Sequence, residues 1–238
     1  MGSDRPEVAL FDLDNTLIAG DSDSLWGEFL VDCGAVESEA FAAAHRRFHE
    51  EYTRGELDIE AFLNFALRPL AEHDEASLLA WRGAFMTRCI EPILLPAAEQ
   101  LLATHRQAGR HLAIVTATNR FVTAPIAERL GVETLLATEP ERTSAGYTGR
   151  YTGVPTFREG KVAVVEQWLQ TAGLESATCW FYSDSLNDLP LLEYVTHPVA
   201  IDPDSTLAAA AQQRGWPILT LRQGAQPVEC TATAPATE

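Results

Sequence analysis

Asp12 and Asp14 stand two residues apart at the end of a short apolar run, Val8-Ala9-Leu10-Phe11, and Thr16 follows two residues further on. In an extended segment residues i and i+2 share a face. One carboxylate can therefore attack an electrophile while the other handles the proton of the leaving group. A carboxylate nucleophile offers a covalent route through an aspartyl phosphate, which splits one hard displacement into two easier ones. That route needs positive charge and hydrogen-bond donors around the transferring phosphoryl oxygens. Lys161, after Gly160 at the head of a helical segment, can supply the charge. Thr116, with backbone amides near Leu13 and Ala117, can supply the donors. Asp184 ends another apolar run and brings a third carboxylate. Carboxylates that close raise one another's pKa unless a hard cation sits between them, and Mg²⁺ is the natural ion.

The elements that must position these residues follow from the same runs. Apolar stretches at 8–11, 111–115, 178–182, 198–201 and 216–219 read as buried strands. Helical segments at 97–108, 120–130, 161–172 and 204–214 separate them, each closed by a glycine. Strand and helix in alternation predict an α/β fold with a doubly wound parallel sheet. Ligands of such sheets bind beyond the carboxyl ends of the strands, where Asp12, Asp14, Thr116 and Asp184 all fall. Residues 21–95 break the alternation with amphipathic segments at 24–33, 37–52, 59–70 and 75–89 and hardly any strand signal. The expected organisation is a core of residues 1–20 and 96–222, an inserted helical cap at 21–95, and a disordered tail at 223–238. A short β-excursion is expected between Thr138 and Gly160.

Composition narrows the function classes. The 238 residues carry 34 acidic and 17 basic side chains, a formal charge of -17, which disfavours nucleic acid or an anionic membrane as the partner. It favours a small molecule with a cationic group. Cys33, Cys89, Cys179 and Cys230 are widely spaced with no CxxC pair, so reduced thiols in a cytoplasm are expected. The polar start, Met1 to Pro6, lacks the pattern of a secretory signal, and no apolar run is long enough to span a bilayer. The sequence carries no signal for oligomeric state.

Asp12-x-Asp14-x-Thr16, Thr116 after an apolar strand, Lys161, and Ser183-Asp184-Ser185-Leu186-Asn187-Asp188 match, in order, the four motifs of the haloacid dehalogenase-like superfamily. The helical insert between the first two motifs resembles the cap of its phosphoserine-phosphatase-like branch. The resemblance implies a Mg²⁺-dependent phosphatase with Asp12 as nucleophile and Asp14 as general acid and base. It implies Asp12, the main-chain carbonyl of Asp14 and Asp184 as metal ligands, with Asp188 supporting them. Thr116 and Lys161 take the place of the phosphate binders, and Asn187 that of a residue holding the phosphate or its loop.

The insert bears on the substrate. Asp21 lies where phosphoserine phosphatases carry an acid that meets the substrate amine, although Asp21 or Asp23 also suits a helix N-cap. Those phosphatases carry an arginine for the substrate carboxylate at the position of Ala66, and Arg68, two residues on, is turned about 200° away on an ideal helix. A substrate with an amine and no carboxylate fits better. The motifs with Gly20-Asp21-Ser22-Asp23 and Thr116-Ala117-Thr118-Asn119-Arg120-Phe121 are similar to a bacterial branch that includes histidinol-phosphatases. Trp26, Phe29, Phe62 and Phe65 either wall an imidazole or fill the cap's interior. His45 and His49, at i and i+4, read as a surface pair for want of a third ligand. The rival readings are another small phosphomonoester such as phosphoserine, phosphoryl transfer to an alcohol, a phospho-accepting regulatory module, and a metal-binding protein with a dead site.

Overall fold

The computed structural model of the chain describes residues 5–230. The first strand, β1 (Glu7–Phe11), is followed by the helices of the insert: α1 (Ser22–Asp32), α2 (Ser38–Thr53), α3 (Ile59–Ala66), α4 (Arg68–Glu72) and α5 (Glu75–Phe85). Then come α6 (Pro96–Gln107), β2 (His111–Asn119), α7 (Arg120–Arg129), β3 (Thr134–Thr143) and β4 (Gly146–Thr152). The chain continues through α8 (Glu159–Ala172), β5 (Thr178–Ser183), α9 (Leu189–Tyr194) and β6 (His197–Ile201). It closes with α10 (Ser205–Arg214), β7 (Ile218–Thr220) and β8 (Val228–Glu229).

One sheet of order β4-β3-β2-β1-β5-β6-β7-β8 runs through the molecule. It is parallel from β3 to β7, and the edge strands β4 and β8 pair antiparallel. The period of two along each strand divides the core. Ala9, Phe11 and Ile114 pack on one face with Leu101, Leu102 and Phe121 of α6 and α7. Val8, Leu10, Ala113 and Val115 pack on the other with Val165, Leu169, Leu191 and Leu207 of α8, α9 and α10. This is the doubly wound parallel sheet.

The helical insert joins the first face. Trp26, Phe29, Leu63 and Phe85 belong to the same buried cluster as Phe11 and Phe121, each worth about 1.5–3 kcal/mol of burial. The insert leaves and re-enters the sheet at one place, where Ala19 N donates to Ile93 O at 2.8 Å and Ile18 bridges Leu94. The far end of α2 and the turn into α3 stand apart, resting on a separate small cluster of Phe48, Leu57 and Phe157.

Three differences from the sequence reading have physical causes. β3 is a sixth parallel strand, because Thr134 to Ala137 pairs with Ala113 to Thr116, although its apolar stretch is too short to stand out. The β-excursion is the antiparallel hairpin of β3 and β4. The disordered tail expected from Gln223 is corrected for residues 223–230: Val228 and Glu229 cover the outer edge of β7, and Cys230 N donates to Ile218 O at 2.8 Å. Residues 1–4 of the expected core segment and 231–238 of the expected tail lie outside the described residues. Among the described residues no helix is long and apolar enough to cross a membrane.

Candidate active site

The carboxyl ends of β1, β2 and β5 meet where the sheet topology brings them side by side. Asp12 follows β1, and its amide donates to Tyr182 O at 2.9 Å, which fixes the chain just past the strand. Lys161, on the first turn of α8, reaches beneath it and donates to Asp12 Oδ1 and Asp188 Oδ2, both at 2.7 Å. Ser183 Oγ donates to the same Asp188 oxygen at 2.7 Å. All these groups are buried, Lys161 to 2 % exposure. Burial works against the lysine's charge, but Asp12 and Asp188 more than offset it and hold the ammonium protonated. Burial pushes Asp12 up to about 7 against the pull of Lys161, with Asp188 and Asp14 adding to the rise.

Asp14 is held by three donors. Ser22 N, at the start of α1, donates to Oδ1 at 2.6 Å. Thr118 Oγ1 and Thr116 Oγ1 donate to Oδ2 at 2.8 and 3.3 Å. Thr118 reaches it because β2 shifts register between Thr116 and Asn119. Burial, then the charge of Asp21, pushes Asp14 up to about 6. A carboxyl near that value can both give and take a proton at neutral pH.

Asp184 shares a hydroxyl with Asp12. Thr16 Oγ1 lies 3.2 Å from both Asp12 Oδ2 and Asp184 Oδ1, and accepts from Asp184 N at 3.1 Å. Burial, then Asp12 and Asp188, raises Asp184 well above the carboxylate range. Among the described residues no three His, Cys, Asp or Glu side chains group into a ready metal site. Asp14 is engaged by Ser22, Thr116 and Thr118, Asp188 by Lys161 and Ser183, and Asp12 by Lys161 and Thr16, with Asp184 sharing the Thr16 hydroxyl. The donor chemistry nevertheless fits a hard cation: four carboxylates, Asp12 and Asp188 buried and Asp14 and Asp184 half-buried, gather around one ammonium that meets two of them, and their donor atoms are oxygens. Asp188 meets the ammonium, so its support of the site runs through Lys161.

Above Asp12 and Asp14 a cleft opens between the sheet ends and the insert. Asp21 and Ala117 line it, as do Asp23, His45 and His49. Asp21 is both a cap and a cleft residue: Oδ1 accepts from Ser24 N at 2.9 Å while Oδ2 lies 3.9 Å from His49 Nδ1. Asp23 pairs at 3.9 Å with His45, and burial, with Asp21 and Asp14, raises its pKa well above the usual range. The surface-pair reading is corrected for His45, which α2 turns inward at 13 % exposure, whereas His49, 53 % exposed, stands at the surface on the rim of the cleft.

Of the four aromatics singled out in the sequence, Phe62 lines the cleft. Trp26 and Phe29 are interior, and Phe65 packs on Phe41 and Phe48. The aromatic wall also includes Phe48, Tyr52 and Phe157, which sequence reasoning missed. Arg68 pairs with Glu72 at 3.3 Å on α4 and does not line the cleft. Asn187 stands beside the site: Nδ2 donates to Tyr52 O at 3.1 Å, and Oδ1 accepts from Arg158 Nε at 3.1 Å.

Comparison with known proteins gives a concordant picture. The family described as haloacid dehalogenase-like hydrolase matches residues 9–193. The chain is 40 % identical over 219 residues to the histidinol-phosphatase of Neisseria meningitidis serogroup C, covering 90 % of this chain and 99 % of that protein. It is 32 % identical over 230 residues to the phosphoserine phosphatase SerB1 of Mycobacterium tuberculosis, covering 93 % and 75 %. A crystal structure of a protein of unknown function from Bordetella pertussis Tohama I superposes with a TM-score of 0.86 at 46 % identity, covering 91 % and 99 %.

Proposed function

The chain belongs to the haloacid dehalogenase-like hydrolase family and is a phosphatase, and from that premise we propose that its substrate is histidinol phosphate. The observation that carries this reading is the charge of the cleft. Beyond Asp12 and Asp14 its ionisable lining is Asp21, Asp23, His45, His49 and Tyr52, with neither Lys nor Arg among the described residues. An ester with an amine and no carboxylate suits such walls, since a carboxylate would meet no guanidinium there. The imidazole fits among Phe48, Phe62 and Phe157, and the amine near Asp21 and Asp23. The relative from Neisseria meningitidis carries that activity in its name.

In the proposed reaction a carboxylate oxygen of Asp12 attacks phosphorus, and the bond to the substrate oxygen breaks as Asp14 donates its proton to it. Asp14 then takes a proton from water, whose oxygen attacks the aspartyl phosphate and releases inorganic phosphate and free Asp12. Lys161 neutralises the oxygens next to Asp12, and Thr116 with the Ala117 amide steadies the phosphoryl group and its loop. Residues 21–95 act as the cap that excludes water from the core formed by 1–20 and 96–222. Mg²⁺, held by Asp12, Asp184 and the main-chain carbonyl of Asp14, supplies charge neutralisation at the phosphoryl oxygens when bound.

Phosphoserine is the second reading, favoured by the Mycobacterium relative. Phosphate release from both esters separates them. The expected result is turnover of histidinol phosphate that needs Mg²⁺, stops with EDTA and returns on adding the ion. Preference for phosphoserine would sink the substrate assignment, and normal turnover by Asp12→Asn would sink the mechanism.

A further inference from the structure

The turn from α2 into α3 overhangs the cleft, and side chains from two core loops tie it down, with Arg158 at the centre of the network. Arg158 Nε donates to Asn187 Oδ1 at 3.1 Å, and its Nη2 donates to the carbonyl of Gly55. Asn187 Nδ2 donates in turn to Tyr52 O, and Tyr52 Oη donates to Ser185 Oγ at 3.2 Å. The carbonyls of Tyr52, in the last turn of α2, and of Gly55, just past its end, thus receive donors from two core loops, where a cation is favoured by the helix C-terminus. Beneath these bonds the turn rests on the small cluster of Phe48, Leu57 and Phe157, with Tyr52, Ile59 and Phe62 against it.

The backbone of Arg158 is an independent observation. Its φ is 51°, in the left-handed region that disfavours a side chain, at a position where glycine would be at ease. A residue held there against its preference needs its surroundings to fix it, and the two hydrogen bonds of the guanidinium are what fixes it. Arg158 also precedes α8, and Lys161 N donates to Arg158 O at 2.9 Å. The turn that fastens the insert is therefore the turn that aims the Lys161 ammonium at Asp12.

We propose that Arg158 is a positioning residue: a latch that fastens the α2–α3 turn over the cleft and couples its closure to the turn that starts α8. It touches no reacting atom. With the latch made, Phe48, Tyr52 and Leu57 are held against the substrate and water is kept out. With the latch broken, the turn swings on its small cluster and the cleft wall loosens. The inference rests on the cleft being the phosphoester site and is independent of which ester is the substrate.

Arg158→Gly removes the guanidinium while relieving the backbone, so it folds at least as well as Arg158→Ala. Hydrogen exchange of residues 52–58, read beside β1 and β5 in the same protein, tests the latch directly. The expected result is exchange at 52–58 faster by about tenfold or more in Arg158→Gly, with β1 and β5 unchanged. Turnover of p-nitrophenyl phosphate and histidinol phosphate is read in parallel, with kcat/KM falling about tenfold on every ester the wild type hydrolyses. Arg158→Lys, whose single ammonium meets one acceptor at a time, falls between wild type and Arg158→Gly in both readouts. Unchanged exchange at 52–58, or a rise spread equally over β1 and β5, overturns the proposal. Failure on histidinol phosphate alone, with exchange and p-nitrophenyl phosphate behaving as expected, overturns only the substrate assignment.

Discussion

At the scale of single residues, the division between Asp12 and Asp14 is a matter of partners. Asp12 faces an ammonium that pulls against the rise burial imposes on it, and Asp14 faces hydroxyls and an amide that aim its carboxyl and leave it able to carry a proton. Thr118 is the hydroxyl closest to Asp14, and Thr118→Val keeps the side chain's shape while removing that donor. The expected outcome is a kcat lower by about tenfold with KM within about twofold, and a stability loss of about 1 kcal/mol. Steady-state kinetics and urea unfolding check it, and an unchanged kcat would show that Thr116 and Ser22 alone orient the acid. Asp12, Asp14 and Asp184 are legible in the sequence because each interrupts or ends an apolar run, where a charge must have a reason. Thr118 is not, since a threonine at a strand end is ordinary until the register shift of β2 turns it toward Asp14. Phe48, Tyr52 and His45 are hidden for another reason: an amphipathic helix shows which face is buried, but not whether that face meets a core or a cleft.

Among the elements, α8 bears most directly on the site, because its first turn carries Lys161 and the residue before its start carries the latch. Gly160 is packed so that a Cβ would run into the carbonyl oxygen of Pro155, a backbone atom that cannot step aside. Gly160→Ala is therefore expected to cost about 1–3 kcal/mol and to shift Lys161 off Asp12, with activity falling more than stability. Urea midpoints and phosphate release check it, and a variant as stable and active as wild type would mean that the turn deforms freely. Most elements are legible because their punctuation is strong: α8 and α10 end at Gly173 and Gly215, both left-handed. β8 is not legible, because a strand of two residues is specified by the edge it pairs with, and of β3 the half that pairs with β2 before Thr138 is hidden by an apolar run of only Leu135, Leu136 and Ala137. The small cluster under the α2–α3 turn is equally silent in sequence, since it joins Phe48 and Leu57 to Phe157 about a hundred residues away.

For the whole molecule, pH and salt act through groups that the fold has placed with one charge state in mind. His105 is buried under β1 and β5, with Nε2 2.8 Å from Tyr182 Oη and Nδ1 3.1 Å from Arg110 Nη1. Arg110 can only donate, so Nδ1 accepts, Nε2 carries the proton and the ring is neutral. Burial, with Arg110, lowers its pKa to about 4. An unfolded histidine takes up a proton below about 6.5, whereas the folded one refuses it until about 4. Its contribution is full above pH 6.5 and is lost as pH falls through that window, about 2 kcal/mol between pH 6.5 and 4.5. Wild type should lose that much more stability than His105→Leu over the window, and parallel curves would refute the assignment. Salt acts on the formal charge of -17. Phosphoserine carries one more negative charge than histidinol phosphate, so the protein's field repels it more at every distance, and Asp21 and Asp23 sharpen the difference inside the cleft. Raising ionic strength from 0.1 to 1 M shortens the screening length from about 10 to about 3 Å. The ratio of the phosphoserine inhibition constant to the KM for histidinol phosphate should then narrow, by roughly two- to threefold. A ratio that holds constant or widens with salt would mean that fixed contacts in the cleft, and not the field of the acidic chain, choose between the two esters.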